Sequence, residues 1–110
     1  MFPLTVTVLT TEASLQEEVA LGGGLLLLAV APADDNVERR IMPLLELLSD
    51  EYRGKLRFAL ADARLIPAAA ASFGLATLPG FVLYRDGEVV ERSVGAAPRQ
   101  ILKVMINKHV

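Results

Sequence analysis

The hydrophobic pattern of the chain changes from a continuous apolar run to a helical periodicity between residues 25 and 48. Residues 25–30 are apolar without any polar alternation, which is typical of a strand that is covered on both faces. Residues 35–48 then carry apolar side chains at i, i+3, i+4 and i+7, the spacing of one helical stripe, at Ile41, Leu44, Leu45 and Leu48. This stretch therefore predicts a buried strand that leads into a long amphipathic helix.

Seven further elements are predicted by the same periodicities. Helices are expected at residues 10–20, 67–73 and 98–107, and strands at 4–9, 55–61, 81–84 and 88–94. Asp86-Gly87 separates the last two strands and is a strong signal for a two-residue hairpin. The order β-α-β-α-β-α-β-β-α predicts an α/β fold with a mixed four- to five-stranded sheet and helices on both faces. Residues 1–110 are assigned to a single domain.

Composition then excludes several classes of function. The chain contains no cysteine, so disulfides, thiolate nucleophiles and cysteine-based zinc sites are excluded. A formal net charge of −2 gives no basic field for nucleic acid. The longest apolar run is too short for a membrane helix, which needs ~20 residues, and the N-terminus lacks the basic region of a signal peptide. We therefore expect a cytoplasmic protein that neither binds nucleic acid nor inserts into a membrane.

Two distant motifs resemble the active-site half of thioredoxin. In that family a CxxC pair begins the helix after a central strand, and a proline lies five residues beyond the second cysteine. Counting back from Pro43 places the two cysteine positions at Asp35 and Glu38. The segment 73–79, FGLATLP, resembles the family's aromatic-Gly-x-x-x-Ile-Pro segment, in which the proline is cis, and Gly95 resembles its final glycine. The resemblance implies a thioredoxin-like three-layer sandwich over nearly the whole chain.

The residues that serve thiol chemistry in thioredoxins are replaced as a set. The family's buried Asp corresponds to Ala29, its neighbouring lysine to Phe58, and the tryptophan before the cysteines to Asp34. A buried acid without thiols would cost on the order of several kcal/mol, so its loss is physically coherent. Acid–base catalysis by Asp35 and Glu38 is poorly supported, because such a pair needs an enclosed pocket. We therefore expect a redox-inactive protein that is not an enzyme and uses no cofactor.

Among thioredoxin-like proteins without cysteine, the chain is most similar to the hydrogenase-expression proteins of bacterial uptake-hydrogenase operons. The shared features are the apolar strand, the acidic segment in place of CxxC, the Ala61-Asp62 strand ending and the Phe-Gly and Leu-Pro segments. Members are proposed to be chaperones that recognise the twin-arginine signal peptide of the hydrogenase small subunit before export. The resemblance implies such a maturation chaperone, with the small-subunit precursor as partner. A general adaptor or co-chaperone domain is the alternative.

Candidate contacts for a protein or peptide partner lie at the predicted helix start and beside the predicted cis proline. Asp35 and Glu38 fit a reciprocal capping box with Asp35 as the N-cap. In a second, compatible interpretation they form an acidic lip for a basic peptide, whereas two carboxylates without a nearby histidine make a weak metal site. In the family, the residue before the cis proline offers its backbone to an extended peptide. The expected partner-binding residues are Asp34, Asp35, Val37, Glu38, Thr77, Leu78, Pro79 and Gly95.

Overall fold

The elements of the structure follow the predicted order. The computed structural model describes residues 6–20, 24–73, 78–95 and 99–110, with only the backbone described for Glu38, Ser72 and Phe73. The predicted α/β class and element order are confirmed. The bounds are β1 Val6–Leu9, α1 Glu12–Ala20, β2 Leu25–Ala31, α2 Asp35–Glu51, β3 Leu56–Asp62, α3 Pro67–Phe73, β4 Gly80–Arg85, β5 Glu88–Val94 and α4 Arg99–Asn107.

The five strands form one mixed sheet in the order β1-β3-β2-β4-β5. Strands β1, β3 and β2 are parallel, whereas β4 is antiparallel to β2, and β5 is antiparallel to β4. Strand β2 is therefore central, and all seven of its residues are buried. Its uninterrupted apolar sequence follows from this position, because both of its faces are covered.

Two hydrophobic clusters lie on opposite faces of the sheet. Leu27 and Ala29 of β2 belong to the cluster that α2 and α4 cover. Leu26 and Leu28 belong to the other cluster, together with residues of α3 and partly buried residues of α1. The alternation along β2 thus feeds two separate cores. This arrangement of helices, sheet and helices is the expected three-layer sandwich.

The N-cap of α2 is Asp34, so the prediction that Asp35 caps this helix is wrong. Asp34 has the extended backbone that a cap requires, with φ −106° and ψ −177°, and its side chain accepts the N–H of Val37 at 3.0 Å. Asp35 is already the first helical residue. Val37 therefore occupies the third helical position, and Glu38 lies one residue out of register for a capping box. The helix then continues through Pro43 to Glu51.

The predicted hairpin between β4 and β5 is confirmed, and it is tied to the start of β2. Asp86 and Gly87 have φ values of 51° and 86°, as a two-residue turn of this kind requires. Oδ1 of Asp86 accepts the N–H of Gly24 at 2.8 Å, and the N–H of Asp86 donates to the carbonyl of Gly24 at 2.9 Å. These two bonds fix the end of the sheet that lies opposite the candidate site.

Candidate functional site

The candidate residues gather where four strands meet at one end of the sheet. Ala31, the last residue of β2, pairs with Asp62, the last residue of β3. Gly80, which begins β4 directly after Pro79, pairs with Val94 at the end of β5. One end of the sheet is therefore shared by the segments that follow β2, β3 and β5 and by the segment that precedes β4. The topology, more than proximity in sequence, brings the two distant motifs together.

An open groove of about 250 Å³ lies at this end of the sheet. Val37 is 3% exposed and belongs to the core cluster on the α2 side, whereas Leu78 and Pro79 are half-buried. The Leu78-Pro79 peptide bond is cis, as predicted. No backbone hydrogen bond joins Leu78 to another described residue. The groove thus combines apolar surface with a backbone segment whose hydrogen-bonding groups are unused by the described fold.

Four of the eight expected partner-binding residues line this groove, namely Asp34, Val37, Leu78 and Pro79. Asp35 is exposed in the first turn of α2 but does not line the groove. Gly95 follows β5 with φ 82°, and it also lies outside the lining.

The side chains of the two remaining expected residues lie outside the described part of the structure. Thr77 lies outside the described residues. Glu38 lies in α2, and only its backbone is described. Their assignment to the partner-binding surface therefore stays a prediction.

A pair of charged residues, Asp62 and Arg64, was missed by the sequence analysis. Arg64 lines the groove, and its guanidinium makes two hydrogen bonds of 3.2 Å to the Asp62 carboxylate, from Nε to Oδ1 and from Nη2 to Oδ2. Oδ1 also accepts the N–H of Arg64 at 3.0 Å and the N–H of Ala33 at 3.1 Å. The available signal was an acid at the end of a buried strand with an arginine two residues later, DAR, at residues 62–64.

Asp62 and Arg64 each stabilise the ionised form of the other. Burial raises the pKa of the Asp62 carboxyl, but hydrogen bonds from the Arg64 side chain and from the N–H groups of Ala33 and Arg64 together bring it below its ordinary value. The bond to Asp62 raises the pKa of Arg64, and the charge of Asp34 adds to this shift. Both groups are therefore ionised at neutral pH, and the groove holds a permanent cation beside the acidic start of α2.

The comparison with known proteins decides the family. The thioredoxin family profile matches residues 7–108. The chain belongs to the thioredoxin family. Thioredoxin C-2 of Corynebacterium nephridii is 36% identical over 72 residues, which cover 66% of this chain and 67% of that protein. The thioredoxin of Bacillus subtilis is also 36% identical over 72 residues, with 66% of this chain and 69% of that protein covered.

Solved thioredoxins have the same fold. Thioredoxin from Fasciola hepatica superimposes with a TM-score of 0.79 at 28% identity, covering 94% of this chain and 99% of that one. A mutant thioredoxin from Halobacterium salinarum gives a TM-score of 0.77 at 22% identity, over 94% of this chain and 89% of that one. The second likeness concerns the fold alone. Together they support the thioredoxin architecture.

This thioredoxin-family chain is redox-inactive, because it contains no cysteine for thiol–disulfide exchange. The position that corresponds to the family's buried acid, Ala29, is 0% exposed and pairs with Leu60 and Phe81. Phe58, in the place of the family's lysine, is also buried. The interior behind the groove is therefore apolar at both positions.

The described part of the chain shows neither a metal-binding cluster nor a membrane-spanning helix. Those residues contain no group of three or more His, Cys, Asp or Glu side chains arranged to hold a metal ion. Among the described helices, none combines the length and the apolar character needed to cross a membrane.

Proposed function

We propose that this chain is a redox-inactive binding protein that holds an extended peptide segment of a partner protein in the groove beside Leu78 and Pro79. The observation that carries the proposal is the backbone of Leu78, which is unpaired within the described residues. It lies beside a partly apolar groove in a thioredoxin-family chain without cysteine. In this proposal the groove has kept the binding surface of the family and has lost its covalent chemistry.

Binding would use main-chain and side-chain contacts together. An extended peptide adds hydrogen bonds to an unpaired backbone segment as one strand does to the next, and pockets for its side chains give selectivity. Here the backbone of Leu78 supplies the main-chain contacts, while the half-buried side chains of Leu78 and Pro79 supply apolar surface. The exposed carboxylates of Asp34 and Asp35 supply charge-assisted bonds to basic side chains. The proposal includes no covalent step, no cofactor and no enzymatic activity.

The more specific form of the proposal is a hydrogenase-maturation chaperone. Its partner is the hydrogenase small-subunit precursor, whose twin-arginine signal peptide is held in the cytoplasm before export. Support comes from the sequence resemblance described above. It also comes from Asp34 and Asp35 at the start of α2, whose negative charges complement two arginines. Early binding of the signal peptide would delay export until the cofactors of the subunit are inserted.

A general adaptor or co-chaperone is the second candidate function. It is favoured by the cation of Arg64, which lies in the same groove as Asp34. A surface selected only for a strongly basic peptide gains nothing from a fixed positive charge in its lining, because like charges oppose binding. In this alternative the groove binds a peptide of mixed charge from a partner unrelated to hydrogenases.

The test is a binding titration with a labelled twin-arginine signal peptide and a matched peptide in which glutamine replaces both arginines. We expect the wild-type chain to bind the first peptide at least about tenfold more tightly, or roughly 1.4 kcal/mol. Leu78→Arg should abolish this binding. Leu47→Arg is the matched control, because Leu47 is 48% exposed on α2 and does not line the groove.

The outcomes separate the two candidate functions. Equal binding of both peptides, lost in Leu78→Arg, would favour the adaptor. Asp35→Ala with Glu38→Ala should weaken only the twin-arginine peptide while the fold survives. If this double variant binds normally, the carboxylates of Asp35 and Glu38 do not contact the basic peptide. If neither peptide binds, or if Leu78→Arg binds like the wild type, peptide capture in this groove is refuted.

A further inference from the structure

Arg64 is held in a fixed orientation within the groove by a buried anchor. Asp62 is only 2% exposed, and its carboxylate is already fastened by the N–H groups of Ala33 and Arg64. The guanidinium meets this carboxylate side by side, through Nε and Nη2, which sets the plane of the group as well as its position. Because Arg64 follows Asp62 so closely in sequence, the loop between them leaves the pair little freedom.

One nitrogen of the guanidinium is left over for a ligand. The two bonds to Asp62 use Nε and Nη2, and Nη1 has no hydrogen-bond or ion-pair partner among the residues that the structure describes. The Arg64 side chain is 56% exposed even though it lines the groove. It therefore presents donors to any molecule that occupies the groove. A donor that is already oriented loses less conformational entropy on binding than a free side chain does.

The surroundings of Arg64 restrict where an anionic group can bind. Asp34 lines the same groove and acts electrostatically on Arg64, so it repels an anion that approaches the start of α2. Val37, Leu78 and Pro79 offer no charge. The groove is thus divided between an acidic side at α2 and one basic group on the loop after β3. The groove would therefore select a bound peptide by the order of the charged side chains along that peptide.

We propose that Arg64 determines the specificity of the groove by selecting peptides that place an Asp or Glu side chain against Nη1. This inference rests on the proposed peptide binding and adds the class of residue that the bound segment must contain. The acidic side chain accepts charge-assisted hydrogen bonds from Nη1 while neighbouring side chains of the peptide contact Leu78 and Pro79. Arg64 acts by direct contact with the ligand, and Asp62 is a positioning residue.

The experiment uses nine-residue peptides of alanine, valine and threonine that carry one Asp, scanned through the positions, beside matched sets with Asn or Lys. Affinity is measured by fluorescence anisotropy, and the site is located from the amide shift of Leu78 in NMR spectra. We expect the wild-type chain to prefer Asp over Asn about tenfold at one position of the scan, because an ionic hydrogen bond is stronger than a neutral one. The preference should shrink at high salt.

Variants separate ligand contact from a structural role. Arg64→Gln should bind Asp and Asn peptides alike. Arg64→Lys should keep part of the preference, because lysine keeps the charge but lacks the several planar N–H donors of the guanidinium. Arg40→Gln is the matched control, since Arg40 is exposed on α2 and does not line the groove. Because Arg64→Gln leaves a buried carboxylate without its partner, Asp62→Asn with Arg64→Gln is measured as well. This pair removes both charges and should also show no preference.

Each outcome decides between the inference and the function on which it rests. If peptides bind without any preference for Asp, or if the preference survives in Arg64→Gln, the role of Arg64 is refuted and peptide binding stands. If no peptide of any set binds to the wild-type chain or shifts Leu78, the role of Arg64 is refuted, and the titration with the twin-arginine peptide decides whether the groove binds peptides at all. A preference for Asp that is lost in Arg64→Gln and kept in Arg40→Gln supports the inference.

Discussion

The carboxylate of Asp62 accepts the backbone N–H of Ala33 at 3.1 Å, and this bond joins the last residue of β3 to the segment that follows β2. A second bond, from the N–H of Ala63 to the carbonyl of Ala31 at 2.9 Å, runs beside it. The loop that leads from β2 into α2 is thereby held against the loop that carries Arg64. The shape of the groove depends on this contact between residues far apart in sequence.

Asp62→Asn should lower the free energy of unfolding by about 1–3 kcal/mol at pH 7, because a buried group then loses charge-assisted partners. The pKa of Asp62 in the folded chain lies below its ordinary value of 3.8. Its contribution to stability is therefore fully present above that ordinary value and is lost as the pH falls through the lower, folded-state value. Urea titrations should show the difference from the wild type at pH 7 and a smaller one below about pH 4.

Asp50→Asn is the control for this prediction. Asp50 pairs with Arg53 on the surface, where its side chain is 69% exposed. Such an exposed pair contributes about 0–1 kcal/mol, so its loss should leave the unfolding curve nearly unchanged. A difference between Asp62→Asn and the wild type that is identical at both pH values would contradict an ionic role for Asp62.

The fold was predictable because its strongest signals are local. The uninterrupted apolar run of β2 requires cover on two faces, and the helical stripe of α2 requires one core-facing side. The turn residues Asp86 and Gly87 tolerate positive φ, so they marked the hairpin without any knowledge of the partner strands. Each of these local signals agrees with the global fold, so the order of the elements can be predicted from the sequence alone.

The candidate site was predictable only where a motif carried it. Leu78, Pro79 and Val37 were placed by motif spacing, and the structure brings them into one groove. Arg64 was missed because its orientation comes from a carboxylate that is buried only once β2 and β3 are paired. The N-cap was misplaced by one residue because two adjacent aspartates are equally good caps in sequence, and backbone conformation chooses between them.

Substitution of the two adjacent aspartates should give different losses of stability. Asp34→Ala removes the side chain that accepts the N–H of Val37, so it should cost about 1 kcal/mol, with a range of roughly 0.5–2 kcal/mol. Asp35→Ala removes only a favourable charge at the helix start, which is worth about 0.3–1 kcal/mol and is screened by salt. Unfolding in urea at low and high salt measures both effects. Equal losses with equal salt dependence would contradict the assignment of Asp34 as the cap.

Gly87 should tolerate asparagine better than alanine. A Cβ added at Gly87 would meet its nearest heavy atom, the carbonyl oxygen of Val19, at 3.6 Å, which is ordinary contact. The cost of substitution therefore comes from φ 86° and not from crowding. Gly87→Ala should lower stability by about 1–2 kcal/mol, and Gly87→Asn by less, because Asn adopts left-handed backbone more readily. Thermal unfolding of the two variants measures this order, and the reverse order would show that side-chain contacts dominate.

Ala29→Asp restores the acid of the thioredoxin family without its thiols, and we expect it to be strongly destabilising. Ala29 is 0% exposed and its strand-paired neighbours, Leu60 and Phe81, are apolar, so burial there would remove an ionised carboxylate from solvent. The expected loss at pH 7 is about 3 kcal/mol or more. Ala29→Asn is the matched control, because it has the same shape and carries no charge.

The pH dependence of this pair of variants separates the cost of charge from the cost of shape. Burial favours the neutral carboxyl, so an acid at position 29 is most tolerable at low pH and costs more as the pH rises. Urea titrations of Ala29→Asp should therefore approach those of Ala29→Asn near about pH 4 and fall well below them at pH 7. If the two variants are equally stable at both pH values, charge burial does not explain why an apolar residue occupies this position. If they diverge as expected, retaining the acid would require a compensating function, and a chain without cysteine has no thiol to supply one.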